Sequence, residues 1–288
     1  MSPGPEVDPG RSRVPSVTSR GHRASLLTAD GVRIEAAYAP RAGAADGSRA
    51  GAADTLALVV AHGFTGSLER PALRRAAAAF RDRAAVVTFS FRGHGRSGGR
   101  STVGDREVED VAAAVRWARA LGHRRVATLG FSMGGSVVLR HAALHGPAHE
   151  GRTAAHTDAV VSVSAPARWY YRGTASMRRL HWAVTRPTGR LVSRVGLRTR
   201  IHPEDWDPVP LSPVAAVPLI APVPLLLVHG DRDPYFPLDH PRMLYAAASP
   251  ATCDLWLEPG FGHAENAAAP ELLDRIGGWL GERLPMPE

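Results

Sequence analysis

Gly130-Phe131-Ser132-Met133-Gly134-Gly135 stands between a short apolar run, Arg125 to Phe131, and a stretch with helical periodicity, Met133 to His145. A G-x-S-x-G turn in that strand-to-helix setting throws its serine out above a sheet, because Gly130 and Gly134 leave the room that a sharp turn needs. Backbone N–H groups at the start of the following helix lack intrahelical partners and face the place where negative charge develops on a carbonyl oxygen under attack. Taken alone, the same residues also fit a serine that merely caps a helix.

Outward from this turn the chain alternates. Runs ending near Gly, namely Leu56 to Ala61, Ala84 to Phe91, Arg125 to Phe131, Ala159 to Ser164, Pro224 to Val228 and Asp254 to Leu257, read as strands. Between and after them, Arg70 to Arg83, Asp105 to Leu121, Met133 to His145, Leu238 to Ala248 and Pro270 to Arg283 read as helices. Continuously apolar strands suit a parallel sheet covered on both faces, so the fold class is an open α/β sheet with right-handed βαβ crossovers. A hairpin precedes it, Ala24 to Thr28 and Val32 to Tyr38 flanking Asp30-Gly31, and Ala42 to Asp54 reads as a loop. About fifty residues, 165–217, interrupt the rhythm. They hold Trp169, Tyr170, Tyr171, Trp182 and Trp206, nine Arg from Arg168 to Arg200, and no acid before Glu204. Met177, Leu180 and Val184, then Leu191 and Val195, have helical spacing around Pro187 and Gly189, which predicts two short amphipathic helices.

Further motifs close the other strands. His62-Gly63-Phe64-Thr65-Gly66 follows the first parallel strand and would put the Phe64 N–H beside that of Met133, two donors for an oxyanion. Phe91-Arg92-Gly93-His94-Gly95-Arg96-Ser97, then Val228-His229-Gly230-Asp231-Arg232-Asp233, then Gly260-Phe261-Gly262-His263 follow later ones. The chain order Ser, Asp, His, each just beyond a strand, brings three such side chains to the carboxyl edge of the sheet.

On these motifs the sequence resembles the α/β-hydrolase family, specifically its capped serine-hydrolase branch with monoacylglycerol-lipase-like and serine-aminopeptidase-like members. The resemblance covers about residues 25–284. It implies a mostly parallel eight-stranded sheet with helices on both faces, a core of residues 24–164 and 218–284, and a helical cap, 165–217, inserted after the sixth strand. It also implies a nucleophile at Ser132, a base at His263, an acid at Asp233 and oxyanion donors at Phe64 and Met133. Asp231 competes for the acid role; the family pattern places the acid third after the Gly, which selects Asp233 and leaves Asp231 to tighten the turn. The acid usually found two positions before the Arg of the RGHG motif is replaced by Ser90. Trp169, Tyr170, Tyr171 and Trp182 are candidates for an apolar acyl pocket in the cap.

The implied activity is hydrolysis of small-molecule carboxylic esters of small to medium acyl length. Peptidase or acyltransferase chemistry on the same triad, and a non-catalytic binding protein of the same fold, stand as alternatives. A serine at position 132 argues against dehalogenase and epoxide-hydrolase chemistry, where a carboxylate attacks. His62 reads as a structural histidine holding its loop, and His263 competes with a surface reading between two Gly-rich turns.

Composition agrees. Of 288 residues 44% are apolar and 22% charged, enough to bury a large core. The formal charge is +8, yet all 35 basic residues are Arg, which looks like composition bias rather than a nucleic-acid patch, and no nucleic-acid motif accompanies it. Arg186, Arg190, Arg194 and Arg198 fall at four-residue intervals, a stripe read as a solvated face. The single Cys253 excludes an internal disulfide and fits a reducing compartment. His141, His145 and His149 have helical spacing, but Gly146-Pro147 interrupts the register and no HExxH glutamate is present, so neither metal nor cofactor is expected. Residues 1–23 carry no apolar stretch and read as a disordered tail, and the most apolar window, Val214 to Val228, is broken by Pro218, Pro222 and Pro224. A cytoplasmic protein without membrane insertion is expected.

Overall fold

The computed structural model describes residues 22–43, 55–146 and 153–285. Eight strands form one sheet: β1 (His22–Leu27), β2 (Arg33–Ala39), β3 (Ala57–Ala61), β4 (Ala85–Phe89), β5 (Val126–Phe131), β6 (Ala159–Val163), β7 (Leu225–Gly230) and β8 (Cys253–Glu258). Their spatial order is β1-β2-β4-β3-β5-β6-β7-β8. The first two pairings are antiparallel and the other five parallel. The order reverses around β3 and β5, and an open α/β sheet has its crevice at the carboxyl ends of such strands.

The strand sequence shows why both faces are covered. In β3, Ala57, Val59 and Ala61 enter one apolar core while Leu58 and Val60 enter the other. On the first side lie α2 (Glu107–Ala120), α3 (Met133–Leu144), α6 (Pro213–Ala216) and α7 (Asp239–Ala247); on the second lie α1 (Pro71–Ala79) and α9 (Pro270–Arg283). The segment between β6 and β7 adds α4 (Ala175–Thr185) and α5 (Pro187–Gly196), and α8 (Ala264–Ala267) follows β8.

Several boundaries differ from the sequence reading. β1 begins at His22, so residues 22 and 23 belong to the sheet rather than to the tail; residues 1–21 lie outside the described residues, as do 44–54 of the expected loop and His149. α1 ends at Ala79 rather than Arg83, because Phe80 is buried in the core and a tight turn, Arg83 N–H to Phe80 carbonyl at 3.0 Å, delivers the chain into β4. β4 stops at Phe89, and Ser90 just beyond it still donates its N–H to the Glu35 carbonyl of β2 at 3.0 Å.

Two polar clusters beneath the later site account for residues without an obvious sequence role. Arg92 is 2% exposed and lies between Asp30 of the hairpin turn (2.6 and 2.9 Å) and Asp110 of α2 (2.8 and 3.0 Å). Where Ser90 replaces the acid of the resembled family, its hydroxyl donates to Glu35 Oε1 at 2.8 Å, which also takes the Arg96 N–H. A carboxylate thus reaches this loop from β2.

Candidate active site

The turn between β5 and α3 places Ser132 at φ 52°, ψ −115°, a left-handed conformation that a non-glycine residue holds only when its surroundings impose it. They do so by crowding. A Cβ on Gly130 would stand 2.1 Å from the Gly134 carbonyl oxygen, and one on Gly134 would stand 2.6 Å from the carbonyls of Ala61 and His62. Ser132 N–H is tied to the Val163 carbonyl at 2.8 Å, and its side chain makes no capping hydrogen bond to the helix.

Instead the hydroxyl meets a histidine. His263, in the loop after β8, puts Nε2 2.9 Å from Ser132 Oγ and Nδ1 2.7 Å from Asp233 Oδ2. The Asp233 side chain is fully buried and takes the N–H groups of Tyr235 (2.8 Å) and Phe236 (3.1 Å) on Oδ1. An acceptor-only carboxylate on Nδ1 fixes the tautomer: Nδ1 carries the hydrogen, and Nε2 is free to accept from the serine. Tyr235 lies against the imidazole, ring centroids 4.3 Å apart, and Phe236 at 5.8 Å. His229 is a buried neighbour, its Nε2 donating to the Phe236 carbonyl at 2.8 Å with burial holding its pKa below the usual histidine range. Asp231 points elsewhere, taking the Gly260 N–H at 2.7 Å and so joining the loops that carry the acid and the histidine.

Phe64 and Met133 flank this group. Met133 opens α3, so its N–H is among the first of that helix. For Phe64 the peptide geometry sets the direction. The Gly63 carbonyl receives both His62 Nδ1–H (2.7 Å) and Gly66 N–H (2.9 Å), and in a trans peptide the Phe64 N–H points the opposite way. The amides on either side are committed, Gly63 to Glu265 Oε1 and Thr65 to His94 Nε2. His62 Nε2 also accepts the Phe91 N–H, which makes it a neutral, doubly used anchor; burial, then the neighbouring His94, push its pKa down to about 3, and burial pushes His94 down to about 4.

Ser132, His263, Phe64 and Met133 share a cavity of about 660 Å³ with the segment after β6. Trp169, Tyr170 and Tyr171 line it; Trp182 does not and is 47% exposed. Helix geometry gives the reason: Met177, Leu180, His181 and Val184 lie along the middle of the broad face of α4 that lines the cavity, and Trp182 lies on the other side of the helix. Trp206, Tyr235, Phe236 and Glu265 line it too, without having been singled out for it. Trp206 has a reason in the tertiary structure, its Nε1 donating to the Thr102 carbonyl and its ring lying 5.1 Å from that of Trp169. Arg190 of the stripe lines the cavity, whereas Arg186, Arg194 and Arg198 are exposed.

Against known proteins, a family model described as the alpha/beta hydrolase fold matches residues 57–170, which include Ser132 and the Phe64 loop. Solved structures match over nearly the full chain. An esterase of Pyrococcus furiosus superposes with TM-score 0.67 at 21% identity, covering 91% of this chain and 92% of its own. The chain has the α/β-hydrolase fold. An α/β hydrolase of a Penicillium species, TM-score 0.66 at 17% identity, covers 92% of this α/β-hydrolase-fold chain and 99% of its own. A serine hydrolase without lid from Xanthomonas campestris, TM-score 0.58 at 20% identity, covers 96% and 99%. No curated protein matches the sequence. No helix among the described residues is long and apolar enough to cross a membrane.

Proposed function

We propose that this chain is a serine hydrolase that cleaves carboxylic esters of small to medium acyl length through an acyl-enzyme. The observation that carries the reading is the single imidazole bridging Ser132 Oγ at 2.9 Å and the buried Asp233 at 2.7 Å. Ser132 Oγ attacks the ester carbon while its proton passes to His263 Nε2. The Asp233 carboxylate holds the ring and stabilises the imidazolium, and the Phe64 and Met133 amides take the oxyanion. His263 then gives the proton to the departing alkoxide, the carbon–alkoxide bond breaks, and the acyl group stays on Ser132. Water repeats the sequence: His263 takes its proton, hydroxide adds to the acyl carbon, and Ser132 Oγ leaves with the proton returned. The segment 165–217 acts as a cap, its aromatic and aliphatic side chains holding the acyl chain within a cavity sized for a small-molecule ligand.

Labelling with a fluorophosphonate probe, followed by a panel of esters of increasing acyl length beside matched amides, tests this. Ser132→Ala should abolish labelling and lower ester turnover by on the order of 10⁴-fold or more. Full labelling of Ser132→Ala would overturn the nucleophile assignment, and faster turnover of the amides would move the reading to a peptidase or amidase.

A further inference from the structure

We propose that Glu265 is a positioning residue that aims the Phe64 oxyanion donor; the proposal rests on the serine-hydrolase reading of the same site. Gly63 stands immediately before Phe64. A Cβ on Gly63 would lie 3.3 Å from Glu265 Oε2 and 3.4 Å from both Glu265 Oε1 and Ser132 Cβ, which places Gly63 directly beside the carboxylate and the nucleophile. Glycine is the residue least able to hold its own φ and ψ. The loop must therefore be fixed from outside that residue, and fixing the peptide planes on both sides of Gly63 does so.

The plane after Gly63 is held from within the loop, its carbonyl taking His62 Nδ1–H and Gly66 N–H. The plane before it is held from 202 positions away in sequence, Gly63 N–H donating to Glu265 Oε1 at 3.1 Å. Glu265 is itself delivered by a stiff turn. Ala264, between it and His263, sits at φ 53° with its N–H on Ser164 Oγ at 3.1 Å, and Arg75 Nη2 donates to the Glu265 carbonyl at 2.7 Å. One turn thus brings His263 to Ser132 and Glu265 to the oxyanion loop, two residues apart in sequence.

Glu265 is 7% exposed, and among the described residues no cationic side chain forms an ion pair with its carboxylate. Burying such a group is costly, and its charge opposes a developing oxyanion. What it offers in return is an acceptor oxygen held in place by the turn after His263, on a residue that has no side chain of its own to steady it.

The test compares E265A, E265D and E265Q with wild type. Turnover is normalised to sites titrated by the fluorophosphonate, beside the affinity of a trifluoromethyl ketone that forms a tetrahedral oxyanion on serine. Losing an oxyanion donor outright costs about 10² to 10³ in kcat, so a misdirected one should cost about 10- to 100-fold. E265A should show that loss with KM nearly unchanged and the ketone weakened by the same factor. E265D, one methylene short, should fall with it. E265Q, which still accepts but carries no charge, should match or exceed wild type. A merely structural role would lower the titratable fraction and Tm without moving kcat per titrated site or ketone affinity, and that result overturns the proposal. So does an E265Q as impaired as E265A. If E265A does not fold, the contrast between E265D and E265Q decides in the same way. A wild type that the probe does not label at Ser132 would overturn the hydrolase reading beneath the proposal.

Discussion

At the carboxyl edge of the sheet, Asp233 is fully buried and receives three hydrogen bonds, while on the segment after β6 Trp182, Leu191, Val192 and Val195 stand 47 to 74% exposed. Both regions contain residues that sequence patterns mark as important. At the edge each group is fixed by directional contacts to loops that follow strands, and moving one atom by an ångström breaks a named bond. On α5 the packing is done by small residues. Gly189 and Ser193 are the residues α5 buries, and a Cβ on Gly189 would stand 2.4 Å from the Trp182 carbonyl oxygen. Close approach of the two helices at these small side chains leaves the larger apolar ones of α5 outside. Helical periodicity identified an amphipathic segment, but the side that packs is the small one.

The contrast can be broken or sharpened by substitution, most severely at the edge. Asp233→Asn should leave the fold intact but remove the carboxylate that fixes the His263 tautomer, lowering kcat by about 10³ to 10⁴-fold. Asp231→Asn, which loses only a hydrogen bond to Gly260, should cost less than about tenfold. Reversed results in ester turnover would pass the acid role to Asp231.

Acid is the next probe, because the edge carries buried neutral histidines while the insertion's basic side chains are mostly arginines that stay charged. His62 and His94 have folded pKa values near 3 and 4 against an ordinary 6.5. Below about pH 6.5 the unfolded chain binds protons that the folded one refuses. Their contribution is therefore complete above that pH and is lost as pH falls toward 4, at up to ~1.4 kcal/mol per pH unit for each. Urea midpoints should drop steadily from pH 6.5 to 4.5; a flat profile would mean these imidazoles are protonated or solvated in the folded protein.

A smaller effect is expected at the cavity wall. Trp169→Ala should reduce kcat/KM for a medium-chain ester more than for a short one, by roughly 1 to 3 kcal/mol, whereas Trp182→Ala should leave the ratio of the two unchanged. Equal behaviour of the two variants would erase the distinction drawn from the face of α4. The smallest effect belongs to the exposed face of α5. Val192→Ser and Val195→Ser should change Tm by no more than ~0.5 kcal/mol would, since neither side chain is buried. A large loss of stability would mean that the face is covered in solution.

How much of this was legible beforehand varied with the range of the interactions. The strand-to-helix turn at Ser132 was readable because its requirement is local: two glycines, a serine and a change of periodicity within six residues. The hairpin turn at Asp30-Gly31 was readable for the same reason, but not the grip of Asp30 on Arg92, 62 positions away. The gap left by Ser90 was visible as a departure from the resembled family, and its relief by Glu35 was not. Trp206 was seen among the insertion's aromatics without its place in the wall, which depends on a carbonyl 104 residues distant.

What the sequence alone determined, then, is the alternation of elements, the two-faced burial of the parallel strands and the order in which serine, acid and histidine leave the sheet. These follow from periodicity and turn chemistry, which act over a few residues. The tertiary structure decided which face of α5 packs, which aromatic leaves the cavity wall, and that Glu265 meets Gly63. Each of those depends on backbones brought together from distant parts of the chain, where volume and hydrogen-bond direction select among side chains that local spacing treats as equal.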